Sequence, residues 1–215
     1  GATSGLLFNN EMRAAMDEFI AKGLSRNVIR RRLQAMGVRE IQTSPKARRE
    51  YMALWERSGV NVASATYAGP RPPDGAFEAS VVAIAEARGM IDALDGELRL
   101  VLTADGIEQA FADGVRGVIF DFQDTTPFGS DIDRIDLFYN LGLRVVQLTY
   151  NLRNLVGDGC TERYKTGLTY FGLSVVEKLN EKRMAVDVSH CSEQVGWDAL
   201  DASTSPIIVS HSASN

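Results

Sequence analysis

The chain's two histidines, His190 and His211, each follow a serine directly and each closes a short run rich in β-branched residues. Imidazole is a common ligand for zinc and similar divalent ions, and its neutral form is a base near physiological pH. The runs Arg183–His190 and Pro206–His211 read as neighbouring buried parallel strands. That reading places both histidines at C-terminal strand tips, the side on which parallel α/β folds keep their ligands. Two imidazoles from adjacent tips can take one ion, and a third protein ligand still leaves a position for water. Such water is activated near neutral pH. With no metal, either imidazole could act as a general base.

Other expected strands also end in polar residues. Gly117–Gln123 ends in Asp121, Phe122 and Gln123, with Asp124 next; Leu143–Tyr150 ends in Thr149 and Tyr150, with Asn151 next. Gln123 is neutral and a poor metal ligand, so any carboxylate there has to come from Asp121 or Asp124. Strand alternation sets Asp187 on the face opposite His190, which makes it a supporting or helix-facing carboxylate and not a co-ligand. The same alternation points Cys191 away from His190, against a Cys-His nucleophile pair. Cys160 lies in Gly157-Asp158-Gly159-Cys160-Thr161-Glu162, which reads as an Asp-Gly turn.

These tips need a scaffold of strands alternating with helices. Further strands are expected at Val60–Tyr67 and, more weakly, at Leu98–Leu102 and Thr3–Phe8. Near-continuous apolar runs suit parallel strands covered on both faces. Amphipathic patterns predict helices over Asn10–Ala21, Arg26–Met36, Lys46–Arg57, Ala76–Leu94, Ala104–Ala112, Asp131–Leu141, Thr169–Glu181 and Glu193–Asp201. Ser44-Pro45 is an N-cap followed by proline at the first helical position, and Thr103 can cap the next-but-one helix. Gly69–Gly75 joins a strand to a helix, and Asn151–Gly167 reads as a long functional or mobile loop. Strand–helix alternation predicts a parallel sheet with right-handed crossovers. About six main strands are visible, against the eight of a closed (β/α)₈ barrel. An open doubly wound sheet and an incomplete barrel both fit that pattern.

Composition narrows the function classes. The 215 residues are 45% hydrophobic and 24% charged, with a net charge of −5, close to the globular average. The acidic balance argues against a nucleic-acid partner, and Arg30-Arg31-Arg32 reads as a solvated helix face. Two cysteines do not make a disulfide framework, so a cytoplasmic protein with free thiols is expected. No run reaches the length of a membrane span.

The residues resemble the membrane (renal) dipeptidases, zinc peptidases on an amidohydrolase-like (β/α)₈ barrel. The likeness runs over roughly residues 100–215. It is carried by Gly117–Gln123, Leu141–Asn151, Gly157–Glu162, Gly167–Gly172, Met184–His190 and Pro206–Ser212, in matching order and spacing. It implies that His190 and His211 bind one of the family's two zinc ions. The family's bridging Glu falls at Gln123, its substrate-contacting His falls at Tyr150, and Ser4-Gly5-Leu6-Leu7-Phe8 lacks the family's first-strand His-x-Asp. The chain looks similar to a divergent branch in which Phe-Gln and Leu-Thr-Tyr-Asn are usual; the lost ligands make a binuclear zinc site implausible and leave room for one ion on His190 and His211, on a single barrel domain, residues 1–215, expected to be incomplete at its C-terminus.

The resemblance implies a metal-dependent hydrolase that cleaves a dipeptide or similar small amide. Gln123 would stand at the catalytic position, Tyr150 and Asn151 would contact substrate, and Arg153 would bind its carboxylate. The expected partners are a small-molecule or dipeptide substrate, with no nucleic acid and no membrane; a homodimer is left open. Two other classes compete. One is a metal-free family member acting as a binding or scaffold protein. The other is a different barrel enzyme, a lyase or isomerase, using His190 as its base.

Overall fold

The computed structural model describes residues 9–68 and 74–212. The expected first strand Thr3–Phe8 and most of Gly69–Gly75 lie outside the described residues. Helices α1 (Asn10–Ala21), α2 (Arg26–Thr43) and α3 (Pro45–Ser58) lead into β1 (Val62–Ala68). Then come α4 (Ala76–Ala93), β2 (Leu98–Leu100), α5 (Ala104–Ala112), β3 (Arg116–Phe122) and α6 (Arg134–Asn140). The chain continues through β4 (Leu143–Gln147), α7 (Tyr170–Glu181), β5 (Ala185–Asp187) and α8 (Glu193–Ala202). The strand order is β1-β3-β4-β5, with β2 also on β3. The β2–β3, β3–β4 and β4–β5 pairings are parallel. Among the described residues no helix is long and apolar enough to cross a membrane.

The described residues cluster into two compact units, one of those within 1–65 and 85–118 and the other of those within 66–84 and 119–215. In the first, side chains start the helices as the sequence suggests. Asn9 Oδ1 accepts from Met12 N at 2.9 Å, and the Asn9 amide donates to Glu40 on α2. Ser44 caps α3 ahead of Pro45, and Thr103 caps α5 by accepting from Gly106 N. Each cap satisfies a backbone N–H that has no partner inside its helix. Met12 of α1, Ile41 of α2, and Tyr51 and Trp55 of α3 are buried.

The second unit holds the polar strand ends. Its core is aromatic. Phe122 meets Phe138 edge to face at 4.7 Å, Phe77 meets Phe138 at 5.7 Å, and Phe120 meets Tyr67 at 4.7 Å. Such geometries suit ring quadrupoles. Phe122 of β3 thus packs on Phe138 of α6, which in turn meets Phe77 of α4. Lys178 of α7 and Lys182 at its C-cap both pair with Asp136 of α6.

Two expected strands are shorter than their apolar runs. The run 183–190 pairs as a strand only over Ala185–Asp187. It then enters a turn in which Cys191 N donates to Val188 O. Pro206–His211 contributes a single parallel bridge, Asp187↔Ile208. Both histidines thus lie just past the strands and not on their tips, and His211 is exposed. The apolar run continues, but the Asp187 carboxylate takes the Ser189 N–H at 2.9 Å, a bond that holds the chain in the turn.

Candidate active site around His190 and His211

His190 has φ 58°, a left-handed conformation rare outside glycine and enriched at functional positions. It occupies the third place of the Val188–Cys191 turn. This backbone, together with the early end of β5, ends the strand alternation before His190. The His190 and His211 rings lie 4.9 Å apart. Tyr150 stacks on His190 at 4.2 Å with 20° between the planes. Asn151, also left-handed at φ 63°, sets its Oδ1 2.8 Å from His190 Nδ1.

Proton accounting fixes both rings. Asn151 Oδ1 can only accept, so His190 Nδ1 donates and Nε2 carries the lone pair. Asp187 Oδ1 accepts from the backbone N–H of Ser189 and of Ser210, and Asp187 Oδ2 is hydrogen-bonded to the Ser210 hydroxyl. A carboxylate is an acceptor, which commits Ser210's hydrogen to it. Ser210 Oγ lies 2.7 Å from His211 Nδ1, so it must accept there, and His211 too keeps its lone pair on Nε2. Burial first, and then the neighbouring His211, lower the proton affinity of His190, while Asp187 partly offsets them. Neutral His190 with a spare Nε2 is the form that binds a metal or takes up a proton.

The loop that delivers Tyr150 and Asn151 is built on one residue. Asp158 is fully buried and accepts from Arg153 Nε at 2.5 Å, Thr166 Oγ1 at 3.0 Å and Gly167 N at 3.2 Å, and also from Thr166 N. Burial alone would raise its carboxyl; the bonds from Arg153 and Thr166 outweigh it and hold it down to about 2. The two glycines flanking Asp158 are needed for close approach. A Cβ on Gly159 would stand 2.0 Å from the Asn151 carbonyl carbon, and one on Gly157 would stand 2.9 Å from Val195 Cγ2. Neither has a positive φ; the turn expected in this segment closes over Gly159–Glu162, where Glu162 N donates to Gly159 O at 3.2 Å, and Asp158 just before it forms an ordered clasp. Nothing in its local pattern announces Asp158's partners; only the paired glycines hint at crowding.

The structure brings His190, His211, Tyr150 and Asn151 together. Arg153 points its Nε to Asp158 and its Nη2 to Thr166 Oγ1, which makes it part of the clasp. Gln123 takes part through its backbone, its carbonyl accepting from the Gln147 amide at 2.8 Å. Asp124 accepts from Thr126 N and Asn154 Nδ2 in a loop cap. Burial pushes the Cys191 thiol up to about 11, which leaves it protonated and unreactive.

Two imidazoles with free Nε2 atoms suit one ion. Zinc–nitrogen bonds of about 2.0–2.1 Å at a tetrahedral angle put ring centres roughly 5 Å apart, close to the separation here. Their Nδ1–H bonds to Asn151 and Ser210 are the outer support such ligands need. Among the described residues no group of three or more His, Cys, Asp or Glu is placed to hold a metal. The described residues therefore fit one ion with two of its ligands.

Residues 31–215 match the model of the membrane dipeptidases, peptidase family M19. The chain belongs to the membrane dipeptidase family. It is similar to dipeptidase tcpJ of Claviceps purpurea, 33% identical over 112 residues, covering 51% of this chain and 26% of that protein. It is likewise similar to dipeptidase 3 of Rattus norvegicus, 32% identical, covering 54% of this chain and 25% of that protein. Among solved structures, an amidohydrolase from Pseudomonas aeruginosa is 29% identical with TM-score 0.68, covering 74% of this chain and 47% of the other. A metallo peptidase from Rhodobacter sphaeroides, liganded with a phosphinate mimic of L-Ala-D-Ala, has TM-score 0.68 at 19% identity, covering 81% and 62%. The fold of this dipeptidase-family chain is thus the amidohydrolase-like barrel, of which it supplies part. It spans about a quarter of each of these two curated relatives.

Proposed function

We propose that this chain carries the histidine half of a dipeptidase-type active site, with one divalent ion, zinc by the chemistry of its donors, on the Nε2 atoms of His190 and His211. The observation that supports it is the pair of imidazoles set side by side with Nδ1 engaged and Nε2 open. A bound ion would polarise the scissile carbonyl and activate water. The chain's own residues do the rest. Asn151 and Ser210 hold the two rings. Tyr150, stacked on His190, presents an aromatic edge and a hydroxyl to a dipeptide or similar small amide. Arg153 keeps a half-exposed guanidinium whose free edge would take a substrate carboxylate. Gln123, a neutral amide at the family's bridging position, would hydrogen-bond substrate without binding a second cation.

The two-ligand set favours one other reading, a binding protein that keeps the fold and does no chemistry. Reconstitution with zinc followed by a dipeptide panel separates them. The hydrolase reading expects zinc-dependent cleavage that His190→Ala abolishes. Zinc uptake or cleavage unchanged by His190→Ala would overturn it.

A further inference from the structure

Asp187, expected as a supporting or helix-facing carboxylate, supports His211 through Ser210. Its Oδ1 holds the Ser189 and Ser210 N–H groups at 2.9 and 3.3 Å, and its Oδ2 receives the Ser210 hydroxyl. The Ser189 hydroxyl lies 3.3 Å from Ser210 Oγ and accepts from His211 N at 3.1 Å. With the Ser210 hydrogen committed to the Asp187 carboxylate, the other directions follow. The Ser210 hydroxyl donates to Asp187, Ser189 donates to Ser210, and His211 Nδ1 donates to Ser210.

We propose that Asp187 is a positioning residue that, through the Ser210 hydroxyl, fixes His211 as its Nδ1–H tautomer and so presents Nε2 as the ligand or base. The relay is set by polarity and not by shape, which makes it reversible by an isosteric change. In Asp187→Asn the amide oxygen stays on the two backbone N–H groups, because only an acceptor is tolerated there. The amide nitrogen then faces Ser210 and donates to it. Ser210 then turns its hydrogen to the nearer of its two remaining acceptors, His211 Nδ1 at 2.7 Å against Ser189 Oγ at 3.3 Å, and His211 becomes the Nε2–H tautomer with no lone pair toward the site. Ser210→Ala removes the acceptor, whereas Ser210→Thr keeps it.

The assay is nitrogen-15 spectroscopy of the imidazoles in the metal-free chain, where only two histidines contribute and His190→Ala assigns the remaining ring. The wild type and Ser210→Thr should show a protonated Nδ1 and an unprotonated Nε2 on His211. Asp187→Asn should show the reverse, and Ser210→Ala should lose the single-tautomer pattern. A merely structural Asp187 would not reverse the tautomer. Where Asp187→Asn fails to fold, the Ser210→Ala and Ser210→Thr pair decides alone. An Asp187→Asn ring pattern like the wild type, or a Ser210→Ala pattern like Ser210→Thr, overturns the proposal.

The consequence for metal binding rests on the function proposed above and has its own readout. Calorimetric titration with zinc alone should show affinity about 10- to 100-fold weaker in Asp187→Asn, the usual effect of losing an outer partner. A reversed tautomer with unchanged zinc affinity would leave the relay standing and overturn His211 as a ligand.

Discussion

Replacing Asp158 with asparagine tests how the loop that carries Tyr150 and Asn151 is held. The side chain keeps its size but loses its charge, and its amide nitrogen must face one of the donors that the carboxylate now satisfies. The native loop lowers the Asp158 carboxyl from 3.8 to about 2. At about 1.36 kcal/mol for each tenfold change in proton affinity, that corresponds to roughly 2 kcal/mol favouring the ionised form. Breaking a buried pair costs about 3–5 kcal/mol; Arg153, with 54% of its side chain exposed, keeps some water, so about 2–4 kcal/mol is expected. For a chain of this length about 2–4 °C is lost per kcal/mol, giving a melting point lower by roughly 5–15 °C. The sign with pH follows from a depressed carboxyl: the stabilisation is present above the unfolded value of 3.8 and is lost as pH falls toward about 2. Circular dichroism melts at neutral and acid pH, with hydrogen exchange over Asn151–Thr169, read both effects. An Asp158→Asn protein that melts within about one degree of wild type, with the loop equally protected, would refute the clasp.

Three further changes probe the same site. Asn151→Ala removes the acceptor for His190 Nδ1 and should weaken zinc binding about tenfold. Asn151→Gly, which tolerates the left-handed backbone, should weaken it equally while costing less stability. Gly159→Ala forces a Cβ to 2.0 Å from the Asn151 carbonyl carbon and should cost more than about 2 kcal/mol with loss of zinc binding. By contrast Gly196→Ala, in helix α8 with nothing within 4 Å, should stabilise the fold by up to about 1 kcal/mol without touching the site.

Much of the scaffold was legible. The patterns over Asn10–Ala21 and Ala104–Ala112 coincide with α1 and α5, and the Ser44-Pro45 and Thr103 signals mark real caps. Capping and periodicity are local, so a local reading finds them. The strand ends were misread because an apolar run does not say where the ladder stops. At Asp187 a side-chain bond to the Ser189 N–H bends the chain away. Asp187 was read as a supporting carboxylate and is one; what alternation along a strand did not show is that it acts through the Ser210 hydroxyl across a turn. Asp158 escaped notice for a different reason. Its partners are Arg153, Thr166 and Gly167, five to nine positions away along an irregular loop with no period to reveal them. The pairing of His190 with His211 was readable only through the order of strands and the family resemblance.

The claim that His190 and His211 together form one metal-binding half-site is tested most directly by zinc titration of the metal-free chain and of the His190→Ala, His211→Ala and double variants. The account predicts one ion per chain in the wild type, with either single change abolishing binding as completely as the double change. Absence of binding in the wild type, or an ion retained by the double variant, would contradict it.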